Sequence, residues 1–353
     1  MRTLTFAEWP SYPIIFLVSS IRKPEIEKEY IIPFGIPTDD VKIIELHYSK
    51  TSKNTPVAEM KKFIIEALIP IIDRGTKYLV VTDSNYYKIL TGDAKAETNL
   101  GYVRDCLYGP WKVIYTPNYR TIFYDPKKIR AKIRQSMEAL LAHIQGIYAD
   151  PGSSIVKFEC YPRTNEDIQY WLNRLLEMDC DLTIDIEGFD LKHHKAGIGT
   201  ISFTWNKHEG IAFPVDYVEI EKATEAPYGR QIRNEPVRQM LKQFFIKYLK
   251  KAIYHNISYD VCVLIYELFM KDVLDTKGLL EGMKIMLHNW DDTQLITYLA
   301  TNSCAGNILG LKPNSQEFSG NYSVEMGDIT KVPLTKLLKY NLIDGLSTWY
   351  VME

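Results

Sequence analysis

The segment LTIDIEG at residues 182–188 places two carboxylates two positions apart in a run rich in β-branched residues. In a β-strand, side chains two positions apart point to the same face, so Asp185 and Glu187 are predicted to project together. Two adjacent carboxylates repel one another unless a cation lies between them. Oxygen ligands of this kind suit hard divalent ions such as Mg²⁺ or Mn²⁺. The alternative is a strand end with two solvated acids, and other parts of the chain have to decide between the two.

The length of 353 residues predicts two domains rather than one. With 46% hydrophobic and 24% charged residues, the chain can bury substantial cores and is not of the disordered type. The net charge of −2 gives no overall basic signature, so nucleic-acid binding would depend on local patches. The five cysteines lack C-x-x-C spacing, which indicates reduced thiols rather than a zinc site. The N-terminal apolar run is brief and interrupted by prolines, so we expect a soluble cytoplasmic protein with no membrane partner.

Residues 1–152 are predicted to form a separate α/β domain. Segments of β-type composition at 13–19, 41–47, 77–82 and 110–117 alternate with helical patterns. One helical pattern follows Thr55-Pro56 and a longer one follows Asp125-Pro126. Strands that alternate with helices indicate a doubly wound sheet, whose strand ends carry the functional loops. The role of this domain stays open between a structural, a DNA-guiding and a partner-binding one.

The helix predicted after Asp125-Pro126 begins with a dense group of cations. Its members are Lys127, Lys128, Arg130, Lys132 and Arg134. They form either a solvated helix face or a patch that follows phosphates, in which lysine and arginine displace counterions from DNA. After this helix, the Pro-, Gly- and Ser-containing segment 149–154 is the best linker candidate and divides the chain into 1–152 and 153–353.

Residues 153–353 carry two further acidic positions after the strand with Asp185 and Glu187. Asp260 stands where a short strand at 251–254 meets an apolar helix, a position that also suits a helix cap. Tyr340 and Asp344 are four residues apart and therefore share one face of the helix predicted over 334–352. Taken alone, such a pair is far more typical of a helix surface or a helix cap than of a functional site.

Together the acids form three ordered motifs: D-x-E at 185–187, N-x-x-Y-D at 256–260 and Y-x-x-x-D at 340–344. This combination resembles the tyrosine subtype of the DEDD 3′–5′ exonucleases. Residues 155–353 resemble the proofreading exonuclease domain of family A DNA polymerases, more of the phage than the bacterial type, and GIGTISFT at 197–204 and WDDTQLITYLATNS at 290–303 agree with it. The resemblance implies an α/β, RNase H-like domain, in which helices flank a mixed central sheet.

The resemblance also implies roles for the acids and for the tyrosine. Asp185, Glu187 and Asp344 would bind one divalent ion, Mg²⁺ or Mn²⁺, and Asp185 would bridge to a second ion supported by Asp260. Tyr340 would orient the attacking water. A tyrosine with a pKa of about 10 is a poor general base at neutral pH, so positioning is the expected role.

Four further positions are predicted to contact a DNA strand. By the same resemblance, Leu191 would wedge against the terminal bases and Asn256 would contact the strand near the site. Phe189 and Tyr259 are neighbouring aromatic candidates for base stacking. Packing in the protein core is the alternative for Leu191, Phe189 and Tyr259.

The activity implied by the resemblance is removal of nucleotides from single-stranded DNA 3′ ends in support of a DNA polymerase, in the host cytoplasm if the chain is phage-encoded. The sequence lacks the palm and fingers motifs of a polymerase, so we expect either a separate exonuclease subunit or part of a larger polymerase. Two alternatives remain: an RNase D-like exoribonuclease, and a scaffold module that binds DNA or a polymerase.

Overall fold

The computed structural model describes residues 2–8, 11–49, 54–221, 223–301, 308–322 and 327–353. The chain separates into two compact units, Met1–Ser153 and Ser154–Glu353. Cys304 and the last two residues of the segment WDDTQLITYLATNS, 302 and 303, lie outside the described residues. The other four cysteines are free thiols. Among the described helices, none combines the length and the apolar character needed to cross a bilayer.

The first unit is built on a six-stranded mixed sheet. Its strands are β1 (Thr3–Thr5), β2 (Ile14–Val18), β3 (Val41–Glu45), β4 (Tyr78–Val81), β5 (Val103–Asp105) and β6 (Lys112–Tyr115). They lie in the order β1-β3-β2-β4-β6-β5, with four parallel inner strands and an antiparallel strand at each edge. The inner strands are largely buried and apolar, as expected of strands that are covered on both faces.

Helices cover both faces of this sheet. They are α1 (Lys23–Ile26), α2 (Val57–Phe63), α3 (Ser84–Thr91) and α4 (Pro126–Ile144). The helical pattern after Thr55-Pro56 is α-helical only in α2 and continues as a π-helical turn and a 3₁₀ turn over Ile69–Ile71. Pro70 within that last turn has no N–H to donate to an α-helical hydrogen bond. Asp125 caps α4 by accepting a hydrogen bond from the Lys128 amide.

The second unit contains another six-stranded mixed sheet. Its strands are β7 (Phe158–Cys160), β8 (Leu182–Glu187), β9 (Thr200–Asn206), β10 (Glu209–Pro214), β13 (Ala252–Tyr254) and β14 (Trp290–Asp292), and a separate hairpin pairs β11 (Tyr217–Glu219) with β12 (Gly229–Gln231). The order is β14-β13-β8-β9-β10-β7, in which β9 is antiparallel to both neighbours and the other pairs are parallel. A mixed central sheet flanked by helices confirms the predicted RNase H-like fold class.

Eight helices of the second unit are described. They are α5 (Asn165–Met178), α6 (His193–Ala196), α7 (Glu235–Lys247), α8 (Ile257–Phe269), α9 (Thr276–Met286), α10 (Thr293–Thr301), α11 (Leu311–Ser319) and α12 (Leu334–Met352). The strand β14 ends at Asp292, directly before α10. That helix begins at Thr293, because Asp292 accepts backbone hydrogen bonds from Gln294 and Leu295 and so caps α10.

Candidate active site

Three of the predicted carboxylates come together at one end of the second sheet. Asp185 and Glu187 project from β8, and Asp344 projects from α12, which lies across β8, β9 and β10. One carboxylate oxygen from each residue lies within 4.8 Å of the others. Asp185 and Glu187 are half-buried and Asp344 is buried. The structure therefore gathers acids from two distant segments of the chain into one cluster.

A glycine next to Asp344 lets α12 approach the sheet closely. A Cβ atom at Gly345 would lie 2.8 Å from Cγ2 of Thr204 and 3.1 Å from Oγ of Ser202, so a larger residue would push the helix away. The Thr183 hydroxyl donates to the Gly345 carbonyl at 2.9 Å. These contacts hold the helix at the distance from which Asp344 reaches the β8 acids.

Asp260, in the first turn of α8, lies beside this cluster. It is buried, and its Oδ1 accepts a hydrogen bond from the Ile186 amide of β8 at 3.2 Å, between the two strand acids. The turn that precedes it is fixed by Asp292, which accepts from the amides of Asn256 and Ile257 at 3.1 Å each. Asn256 itself has a left-handed backbone with φ of 67°, a conformation that asparagine tolerates better than most residues.

Burial raises the pKa of all four carboxyl groups. The pKa of Asp185 is raised well above its usual range by burial and then by the charges of Asp260, Asp344 and Glu187. Burial, with added repulsion from Asp344, raises the pKa of Glu187 to about 8. Burial likewise raises the pKa of Asp260 to about 8, and it raises that of Asp344. A bound divalent cation would remove this repulsion and stabilise the ionised acids.

The donor set fits divalent ions of the hard type. All four groups are carboxylates, and no histidine or cysteine belongs to the one cluster among the described residues that could hold a metal ion. Oxygen-only donor sets suit hard ions such as Mg²⁺ and Mn²⁺. The chemistry of the side chains thus agrees with the divalent ions predicted from the sequence.

Tyr340 lies beside the acids and is held by a lysine from α11. The Lys312 ammonium donates a hydrogen bond to the Tyr340 hydroxyl and lies 4.5 Å from the centroid of its ring. Burial, followed by the charges of Asp344, Glu187 and Asp185, raises the pKa of Tyr340. The hydroxyl therefore stays neutral at working pH and can donate a hydrogen bond, which suits positioning rather than proton abstraction.

Two further side chains hydrogen-bond the carboxylates directly. Asn341 donates to Oδ2 of Asp185 at 2.6 Å and to its backbone carbonyl at 3.2 Å, while its own Oδ1 accepts from the Thr200 hydroxyl. Tyr322, which follows α11, donates to Oδ1 of Asp344. These bonds fix the orientation of two of the predicted metal ligands, as the hydrogen-bond partners of ligands do at metal sites.

Four residues that contact or position the acids were not predicted as site residues from the sequence: Lys312, Tyr322, Asn341 and Asp292. Asn341 directly follows Tyr340, and Asp292 lies between a strand and a helix. The neighbouring sequence could therefore have pointed to both positions. Lys312 and Tyr322 belong to a segment that no motif covers, and only the tertiary fold brings them to the acids.

The four predicted DNA-contact residues lie after β8 and at the start of α8. Leu191 is 90% exposed, and the Asn256 side chain is also exposed and accepts from the Ser258 hydroxyl at 2.8 Å. Phe189 is half-buried and stacks on Tyr217, with ring centroids 6.2 Å apart. The half-buried Tyr259 donates to the Asp190 carbonyl at 2.9 Å. Their contacts with DNA stay a prediction.

Comparisons with known proteins find distant similarities between this chain and solved structures. No protein-family model and no curated protein matches the chain. Similar solved structures include the catalytic core of RRP6 from Trypanosoma brucei (14% identity, 57% of this chain, TM-score 0.38), Brucella melitensis NrnC with bound Mg²⁺ (14%, 56%, 0.32) and the Escherichia coli exoribonuclease RNase D (14%, 55%, 0.31).

The matched parts cover unequal shares of those proteins. The chain spans 48% of the RRP6 core, 78% of NrnC and 42% of RNase D. At these TM-scores the likeness carries no argument about activity, which has to rest on the side chains of the site.

Proposed function

We propose that the chain is a metal-dependent exonuclease that removes nucleotides from the 3′ ends of nucleic acid strands. One observation carries the proposal: oxygens of Asp185, Glu187 and Asp344 converge within 4.8 Å at a site that also contains Asp260 and a neutral tyrosine hydroxyl. Phosphodiester hydrolysis needs stabilisation of the charge that builds on the phosphoryl oxygens, and carboxylate-held metal ions supply it. The 3′ direction rests on the three-motif resemblance.

The residues divide the work around a scissile phosphate. Asp185, Glu187 and Asp344 would hold one divalent ion, and Asp185 with Asp260 would hold a second. When bound, such ions polarise the phosphoryl group and lower the pKa of the attacking water. Asn341 keeps the Asp185 carboxylate in one orientation through its bond to Oδ2.

Tyr340 and Lys312 act together on the attacking water. Because Lys312 donates to the tyrosine oxygen, the hydrogen of the Tyr340 hydroxyl points away from Lys312. It can then be donated towards the acids and the attacking water. The Lys312 charge also counteracts the rise in the pKa of Glu187 and of Asp344, so it favours the ionised form that binds metal.

The proposed substrate is a single-stranded DNA 3′ end. A paired terminus would have to separate before its last phosphate could reach half-buried acids. Leu191, which follows β8 and is 90% exposed, would wedge against the terminal bases. The choice of DNA, and of a DNA polymerase as the partner, rests on the motif resemblance alone.

Digestion of matched oligonucleotides tests the proposal. Strands of about 20 nucleotides, long enough to fill a binding channel, are labelled at the 5′ end in DNA and RNA versions. We expect stepwise shortening from the 3′ end in Mg²⁺ or Mn²⁺, and none in excess chelator or with Asp185→Asn. Glu177→Gln, an exposed acid of α5, is the matched control and is expected to keep full activity.

Three other outcomes would change the proposal. Full activity in chelator would refute metal dependence. Faster digestion of RNA than of DNA would replace the DNA substrate with that of an RNase D-like exoribonuclease. If the protein bound both the DNA and the RNA strand and digested neither, a scaffold module would be the remaining function.

A further inference from the structure

The segment after β6 in the first unit exposes two aromatic rings between cations. Phe123 is 87% and Tyr124 82% exposed, which makes them the two most exposed aromatic side chains among the described residues. The rings meet edge to face, with centroids 5.8 Å apart. Arg120 precedes them and Lys127 and Lys128 follow them, all three exposed. Below, these five residues are called the 120–128 surface.

The 120–128 surface lies at the carboxyl end of the parallel strands. Arg120 and Phe123 belong to the turn that follows β6, and they line a cleft of about 440 Å³ together with Arg22, which follows β2. In doubly wound sheets, ligands bind outside the carboxyl ends of the strands. A cleft of this volume is within the usual range of ligand sites.

The acids near this surface are already paired. Glu25 lies 3.8 Å from Arg22, and Glu29 binds the Arg130 guanidinium through both oxygens at 2.8 and 2.9 Å. Asp125 caps α4 by accepting from the Lys128 amide at 3.1 Å. Both glutamates therefore have an arginine as partner, and Asp125 has a backbone amide.

Unlike these glutamates, the cations of the 120–128 surface have no partner of opposite charge among the described residues. Arg120, Lys127 and Lys128, and Arg134 further along α4, form no ion pair with any residue that the structure describes. Lys132 and Arg130 of the same helix are paired with Glu97 and Glu29. The surface thus carries an unneutralised positive charge beside two bare rings.

We propose that the 120–128 surface binds a single strand of nucleic acid. Unpaired bases offer flat faces that stack on aromatic rings, and their phosphates release counterions to lysine and arginine. A duplex keeps its base faces inside the stack and so could use only the cations. The proposal concerns the first unit and needs no metal, so it stands apart from the exonuclease site.

Binding by the full-length protein in chelator tests it, with fluorescent dT or rU strands of about 20 nucleotides read by anisotropy. Chelator stops any hydrolysis and leaves the acids of the second unit without cations, so that they repel phosphate. We expect Phe123→Leu to weaken binding roughly 5- to 100-fold, whereas Phe123→Trp keeps it, since stacking needs a flat ring. Lys127→Ala with Lys128→Ala should reduce the slope of log K against log salt by about 1.4.

The matched control alters another exposed helix of the same unit. Lys61→Ala with Ile65→Ala on the α2 segment removes one exposed cation and one exposed apolar side chain and should leave binding unchanged. Wild-type affinity in Phe123→Leu, or equal affinity for a duplex and a single strand, would overturn the proposal. Hydrolysis of a dinucleotide in Mn²⁺ reports on the acids of the second unit alone, so the two proposals fail separately.

Discussion

The Lys312 ammonium of α11 donates to the hydroxyl of Tyr340 on α12 and lies 4.5 Å from the centre of its ring. The contact joins a residue outside every motif to the motif tyrosine. It places a cation that lowers the pKa of both Glu187 and Asp344 next to the proposed water-positioning group. Lys312 is therefore expected to support both the ionised acids and the orientation of the hydroxyl.

Lys312→Met should lower turnover roughly 10- to 100-fold, the usual penalty for a misplaced catalytic group. Without the ammonium, the pKa of Glu187 and of Asp344 rises further, so the acid limb of the rate–pH profile should move to higher pH. Lys312→Arg, which keeps the charge, should restore part of the rate. Lys336→Met, at an exposed position of α12, is the control. An unshifted profile in Lys312→Met would show that the lysine only packs against the ring.

Asn341→Ala should weaken Mn²⁺ binding roughly 10- to 100-fold, as expected when a hydrogen-bond partner of a metal ligand is removed. The amide holds Oδ2 of Asp185 at 2.6 Å, and without it the carboxylate is free to rotate. Calorimetric titration with Mn²⁺ measures the effect. Thr348→Ala is a control on the same helix, because its buried hydroxyl has no hydrogen-bond partner in the structure. Unchanged affinity in Asn341→Ala would remove its orienting role.

The raised pKa values predict that the metal-free protein loses stability as the pH rises. Glu187 and Asp260 titrate near pH 8 in the folded chain and near 4 when unfolded, so between these values the folded state binds more protons. The free energy of unfolding then falls with rising pH. Urea unfolding in chelator should give a lower value at about pH 8.5 than at about pH 5.5.

Asp185→Asn should reverse that loss. Removing one of the repelling charges is expected to raise the free energy of unfolding of the metal-free protein at the higher pH by about 1.4 kcal/mol or more, the equivalent of one pKa unit. Mn²⁺ should stabilise the wild-type chain and not the variant. A variant less stable than the wild type at that pH would contradict the repulsion described here.

A second buried charge cluster supports the fold of the same unit. Arg238 of α7 is 3% exposed and pairs with both Asp216 and Glu267, which are also buried. Arg238→Met should destabilise the protein by about 3–5 kcal/mol, because it leaves the buried Asp216 without its cation and leaves Glu267 with the exposed Arg233 as its partner. Arg174→Met, at the exposed ion pair with Glu177, should change stability by less than about 1 kcal/mol. Equal effects would contradict the difference in burial.

The sequence allowed prediction of those parts of the site that local periodicity determines. The i, i+2 spacing of Asp185 and Glu187 required a strand, and the i, i+4 spacing of Tyr340 and Asp344 required a helix face, and the structure has both. The length and apolar pattern of the terminal helix agreed with Leu334–Met352. Periodicity could not show that the helix crosses the sheet at Gly345, which depends on space left by Thr204 and Ser202.

What escaped prediction depends on contacts between distant segments. Lys312 and Tyr322 reach the acids only because α11 packs on α12, and neither lies in a repeating pattern. The pairing of Arg238 with Asp216 and Glu267 has the same origin. In the first unit, Phe123 and Tyr124 follow a predicted strand, and nothing in the sequence around them indicated that both rings are exposed to solvent.

The most direct test of the central claim is the anomalous scattering of crystals soaked in Mn²⁺. The claim is that Asp185, Glu187, Asp260 and Asp344 together hold a pair of divalent ions for phosphodiester hydrolysis. It predicts two anomalous peaks among these carboxylates, about 3.5–4 Å apart, and loss of both in Asp185→Asn. A Mn²⁺-soaked crystal with no peak between Asp185 and Asp344 would contradict it.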